Sequence, residues 1–220
     1  EARGSLPFRH TLDTGGDVNL GKRPALIVID MQNGFCRPDG FMAKIGLAYE
    51  PSAEVIGPIS RLLGAARRAG IPVFFTRYSL NADYSDAGLL LEVFPQIEGT
   101  GGMVRETWDA DVVEELAPQA DEVVLDKTRY SAFYGTDLEE RLQGLGVDQL
   151  IVCGVTTNVC VESTVRDAFF RDIRIVVPED GTAAVTPELH HGALEDFRYS
   201  FGQVVSVADI EAALDGAGAA

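Results

Sequence analysis

Apolar runs of three to five residues punctuate the chain, separated by stretches in which apolar residues return every three or four positions. The runs lie in Ala25–Ile29 (ALIVI), Pro72–Thr76 (PVFFT), Glu122–Leu125 (EVVL), Leu150–Cys153 (LIVC), Ile173–Val177 and Gln203–Val205. A short continuous apolar run suits a strand buried on both faces, because helices cover both sides of a parallel sheet. Between the runs, Val55, Ile59, Leu62, Leu63 and Ala66 share one helical face within 51–68, which stops at Gly70. Leu138, Leu142 and Leu145 predict a second helix, opened by a Thr136/Glu139 capping box and ended by Gly146. Val161, Val165, Ala168 and Phe169 predict a third from Asn158 on, and Thr186-Pro187 begins a fourth. This alternation predicts an α/β fold with three α/β/α layers and a six-stranded, mostly parallel, doubly wound sheet with right-handed crossovers. The pattern bounds one domain over 24–207, with an N-terminal tail over 1–23 and a C-terminal, Ala/Gly-rich tail over 208–220. Residues 77–120 hold no sustained period, and a stretch that long inside one domain reads as a lid or substrate loop.

In a doubly wound sheet, ligands bind beyond the carboxyl ends of the strands. That edge is chemically loaded here. The first run ends in Asp30, the third, EVVL, leads to Asp126-Lys127, and the LIVC run turns through Gly154-Val155-Thr156-Thr157 into a helix bearing Cys160. A helix N-terminus favours a thiolate and offers N–H groups to an oxyanion, so the expectation is a depressed Cys160 pKa. A cysteine nucleophile needs a base. The chain's histidines are His10, in the tail, and His190-His191, a pair read as a solvated mid-helix face. Asp30 is therefore the better base, with Lys127 as its partner. Phe35, Tyr78, Trp108, Tyr130 and Phe133 are candidate pocket walls, and Arg77 and Arg105 candidate partners for a substrate carboxylate.

Charge and cysteine usage narrow the classes. A net charge of −16 lacks the basic surface that nucleic acid or an anionic membrane requires. No apolar run approaches the ~20 residues of a membrane span, and no signal-type apolar segment opens the chain. Three scattered cysteines form no disulfide framework and no metal-type spacing, so a cytoplasmic protein is expected.

The segments ALIVIDMQNGF (25–35), VLDKTRYSAFYGTDLEERL (124–142) and GVTTNVCVESTVRDAFF (154–170), backed by PEDGTAA (178–184) and 189–206, resemble the isochorismatase-like cysteine hydrolase superfamily. The resemblance implies a Rossmann-like sheet, an Asp30–Lys127–Cys160 triad, a cis peptide before Thr156, an oxyanion hole from the backbone N–H groups of Thr156 and Cys160, and a homo-oligomer (dimer or tetramer). Retention of Cys160 argues against vinyl-ether cleavage. The 76–79 segment, Thr-Arg-Tyr-Ser, carries no histidine, so no metal and no cofactor are expected. The 127–133 and 158–164 segments look most like the ureide amidohydrolase branch, which includes ureidoacrylate amidohydrolase, biuret hydrolase and N-carbamoylsarcosine amidase. The implied activity is hydrolysis of a small carbamoyl, ureide or primary amide substrate with release of ammonia. A cyclic amide hydrolase of the streptothricin type, and a non-catalytic binding or redox protein with a reactive Cys160, stay open at this point.

Overall fold

Ala25 through Ile29 are wholly buried, because β1 (Pro24–Ile29) has a strand on each side and helices above and below. The computed structural model describes residues 18–217. After β1 come the short helices α1 (Asn33–Cys36), α2 (Phe41–Lys44) and α3 (Glu50–Glu54), then α4 (Ile56–Ala69) and β2 (Val73–Tyr78). The irregular stretch that follows holds α5 (Leu90–Val93), and the chain returns to the sheet as β3 (Val123–Lys127). Then come α6 (Leu138–Leu145), β4 (Gln149–Val155), α7 (Glu162–Phe169), β5 (Arg174–Pro178), β6 (Thr182–Ala183), α8 (Pro187–Ser200), β7 (Gln203–Val205) and α9 (Val207–Ala217).

Every ladder is parallel, and the order is β3-β2-β1-β4-β5-β7. The chain winds outward from β1 through β2 to β3, then jumps back to lay β4 on the other side of β1. The switch in strand order therefore lies between β1 and β4. The sheet has seven strands rather than the six expected; the extra one, β6, is two residues long and pairs with the end of β4. Two residues leave no period to detect.

Three further expectations are corrected. The helix expected over 51–68 is broken at Val55 into α3 and α4. Pro58 explains the break: it has no N–H to give the Glu54 carbonyl, and its ring crowds that same oxygen. The Thr136/Glu139 capping box does not form. Asp137 occupies the N-cap without a side-chain bond, the Thr136 hydroxyl donates to the Ala132 carbonyl, and Glu139 pairs with Arg171 at 2.7 Å. The tail expected from 208 is α9 as far as Ala217. Its Val207, Ile210 and Leu214 are buried, and it packs along α4. Of the expected N-terminal tail, 1–17 lie outside the described residues.

Candidate active site

β1 ends at Ile29, and Asp30 takes a left-handed backbone conformation (φ 49°) that turns the chain out of the sheet. Its Oδ1 accepts a 2.7 Å hydrogen bond from the Thr76 hydroxyl of β2. Its N–H reaches the Thr76 carbonyl at 3.2 Å. Lys127 ends β3, two strands away from β1, a gap of roughly 10 Å at ~4.8 Å per strand. A long side chain is needed to cross it. Val123, Leu125 and Lys127 alternate onto one face of β3, so Lys127 runs inward over the end of β2, its Nζ 4.5 Å from the centre of the Tyr78 ring. Nζ lies 2.7 Å from Asp30 Oδ2 and donates to the Arg129 carbonyl at 3.0 Å, with both charged side chains fully buried. The approach to Oδ2 does not have hydrogen-bond geometry, which leaves that oxygen without a conventional donor.

Cys160 supplies the third group. After β4 the Val155–Thr156 peptide is cis, and Thr157–Val161 form one wide π turn before α7 begins at Glu162. The π turn replaces the regular helix expected from Asn158; Val161 N–H reaches back to the Thr156 carbonyl at 3.2 Å. Asp30 and Lys127 both lie near enough to the Cys160 sulfur to act on its charge. The Thr164 hydroxyl fixes the turn by donating to the Cys160 carbonyl (2.8 Å) while accepting from Ala132 N–H (3.0 Å). β4 can approach β1 this closely because residue 154 is glycine at φ 109°; a Cβ there would lie 2.1 Å from the Ile29 carbonyl oxygen.

The electrostatics differ from expectation at the sulfur. Burial raises the Cys160 pKa well above its ordinary value, and neighbouring Asp30 raises it further; Lys127 lowers it, but not enough. The depressed pKa expected from a helix N-terminus is overturned, since desolvation of the anion outweighs the dipole of one turn. For Lys127, burial alone would lower the pKa, but Asp30 and the Cys160 sulfur together hold it above the usual value. The resting arrangement is a neutral thiol beside an ion pair.

Cys160 opens on a cavity of about 600 Å³, with Asp30 and Lys127 buried behind it. Thr156, Asn158, Cys160 and Ser163 line it from the catalytic turn, Tyr78 and Tyr130 from the strand ends. Phe35, Phe41, Met42, Ile45 and Leu47 form one wall, and Leu90, Val93, Phe94, Ile97 and Met103 another. Thus Phe35, Tyr78 and Tyr130 are brought to the site as expected. Phe133 is not: it packs under the Arg171 guanidinium, 4.6 Å away, and lies off the cavity wall. Trp108 is 50% exposed and also off the wall. Arg77 is held by Asp126 at 2.8 Å, and Arg105 by Asn81 and Asp86, so neither faces the cavity. His190 is half-buried rather than solvated, its Nδ1 2.9 Å from the Thr157 hydroxyl.

Residues without any periodic signature hold the walls. Gln32 takes Tyr78 N–H at 2.7 Å on its oxygen and donates to the Tyr78 and Ala110 carbonyls. Asp109, buried, accepts from Phe41 N–H (2.9 Å) and Met103 N–H (2.8 Å), tying the two apolar walls together. Gln32 stands inside the DMQNGF segment, which is the one signal for it in the sequence; Asp109 offers none.

The isochorismatase domain model matches residues 24–209. The chain belongs to the isochorismatase family. It is 35% identical to the ureidoacrylate amidohydrolase RutB of Methylobacterium radiotolerans, over 94% of this chain and 89% of that one. Among solved structures, a cysteine hydrolase from Pseudomonas syringae pv. phaseolicola superposes with a TM-score of 0.82 at 33% identity, covering 97% of this chain and 100% of the other. N-carbamoylsarcosine amidase from Thermoplasma acidophilum superposes at 0.71 with 29% identity, covering 84% and 97%.

Proposed function

We propose that the protein is a cysteine-dependent amidohydrolase that cleaves a C–N bond of a carbamoyl, ureide or primary amide substrate and releases ammonia. The observation that carries the reading is the Cys160 thiol on the cavity wall, backed by the fully buried Asp30–Lys127 ion pair. A neutral thiol needs a base at the moment of attack, and Asp30 is in place to take its proton. The sulfur bonds to the carbonyl carbon, and the oxyanion is received by the N–H groups of Thr156 and Cys160, each worth ~3 kcal/mol in the transition state. Asp30 then passes the proton to the departing nitrogen, the C–N bond breaks, and ammonia leaves an acyl group on sulfur. Water, deprotonated by the same carboxylate, hydrolyses the thioester. Lys127 holds the Asp30 carboxyl group in place. The names of the related ureidoacrylate amidohydrolase and N-carbamoylsarcosine amidase support a C–N bond as the target.

The scheme needs no metal, since Asp30 supplies the base and the Thr156 and Cys160 N–H groups receive the oxyanion. A homo-oligomer belongs to the same proposal, supported by the exposed Phe169, Phe170 and Tyr199. The test is steady-state ammonia release from biuret, N-carbamoyl compounds and primary amides, with isochorismate as the competing reaction. Amide-type substrates should exceed isochorismate in kcat/KM by at least ~100-fold, about 2.7 kcal/mol of transition-state preference. Activity should persist after exhaustive chelation and vanish in Cys160→Ala. Preference for isochorismate, or no ammonia from any amide, overturns the reading.

A further inference from the structure

The cavity is much larger than a carbamoyl group and is segregated by chemistry. Its polar lining residues are Tyr78, Tyr130 and four from the catalytic turn; the rest, from Phe35 to Leu47 and Leu90 to Met103 above all, is apolar. No Asp, Glu, Lys, Arg or His side chain lines it among the described residues. Among the cations near the lining in sequence, Lys127 pairs with Asp30 and the Arg129 carbonyl, Arg129 donates to the Asp86 and Thr128 carbonyls, Arg37 pairs with Glu115, Arg105 with Asn81 and Asp86, and Lys44 is exposed and off the wall. A substrate carboxylate seated against these walls would lose its water and gain no partner, which is a severe penalty. The chain's net charge of −16 opposes the approach of anions as well.

We propose that the substrates are uncharged amides or N-carbamoyl compounds whose non-reacting end is an apolar group, aliphatic or aryl, of at least phenyl size. This rests on the amidohydrolase reading and narrows it. The volume falls in the ~300–1,000 Å³ range of pockets that enclose a drug-sized ligand, so a ligand the size of biuret would leave most of the apolar wall unfilled.

The experiment measures kcat/KM for straight-chain primary amides from propanamide to hexanamide, and for adipamate, the ω-carboxylate relative of hexanamide. Binding of the same compounds to Cys160→Ala is measured by calorimetry. Burial of each added methylene should raise kcat/KM ~4-fold, about 60-fold over the series. Adipamate should fall at least ~100-fold below hexanamide, and Ile45→Lys, which places a cation on the wall, should narrow that ratio ~10-fold. Ammonia released at rates flat in chain length, or adipamate cleaved as well as hexanamide, overturns the substrate class and leaves the amidohydrolase reading intact. No ammonia from any compound, with Cys160→Ala still binding the longer amides more tightly, overturns the hydrolase reading and sustains the apolar preference.

Discussion

Lys127 is the residue whose position is hardest to explain without function, since a buried ammonium carries a desolvation cost that its pairing with Asp30 offsets only in part. Removing one member should expose that cost. Lys127→Met keeps the volume but leaves the Asp30 carboxylate buried and unpaired, so it should lose ~3–5 kcal/mol of stability. Lys127→Met with Asp30→Asn should recover most of that loss in urea denaturation, although both variants are expected to be inactive. Additive losses in the double variant would show that the pair is not coupled. The thiols are ordered by access. Burial raises all three pKa values, Cys36 to about 12. Cys160 alone among them lines the cavity. Iodoacetamide should therefore modify Cys160 first, slowly at neutral pH and faster as pH rises, with loss of turnover in step. Peptide mapping that finds Cys36 or Cys153 alkylated first contradicts the geometry.

At the scale of elements, the site depends on how closely β4 lies against β1. Gly154→Ala would press a methyl group into the Ile29 carbonyl at a φ that L side chains avoid. Soluble expression should collapse, or the melting temperature should drop by more than for Ala at Gly57, where nothing lies within 4 Å of the added carbon. α9 matters for a different reason. Its Ile210 and Leu214 cover α4, and the ion pairs Arg61–Glu211 (3.6 Å) and Arg68–Asp215 (3.6 Å) flank the seam. Those pairs are exposed and contribute little, so the apolar contact dominates. Ile210→Ala or Leu214→Ala should cost ~2–5 kcal/mol by chemical denaturation. A loss below ~1 kcal/mol would mean that α9 is the dispensable tail its composition suggested.

Across the whole molecule, the buried titrating groups give stability a characteristic pH dependence. Cys36, Cys153, Cys160, Tyr78 and Lys127 all have folded-state pKa values above their ordinary ones, chiefly through burial for the thiols and the phenol and through Asp30 for the lysine. Each holds its proton more tightly when folded. Their contribution is complete below the unfolded values and is lost as pH rises past them, so the melting temperature should fall steadily above about pH 9. His190 acts in the opposite range. Burial, with His191, depresses its pKa, so the unfolded chain takes up that proton first and stability declines as pH drops below about 6.5. Calorimetric scans from pH 5 to 11 should show a plateau between these limits; a melting temperature unchanged to pH 11 would refute the alkaline arm. No helix among the described residues is long and apolar enough to cross a membrane.

Local patterns carried six of the seven strands and the parallel, doubly wound class, and they marked Asp30, Lys127 and Cys160 as candidates, because each rests on local information. Burial on both faces demands continuous apolar runs, crossovers demand amphipathic helices, and a charged residue ending such a run stands out, as Asp30 and Lys127 do. The tertiary structure decided what depends on residues far apart. β6 is a strand only because β4 offers it an edge, and α9 is a helix held by α4 rather than a tail. The sulfur's ionisation followed total burial rather than the local helix end. Trp108 and Phe133 are aromatic like Tyr78 and Tyr130, and which of them meet the cavity is set by where the 79–122 stretch and the turn after β3 come to rest. Gln32 and Asp109 fix that placement through side-chain hydrogen bonds to backbone groups as far as 78 and 68 residues away, separations over which no sequence period can act.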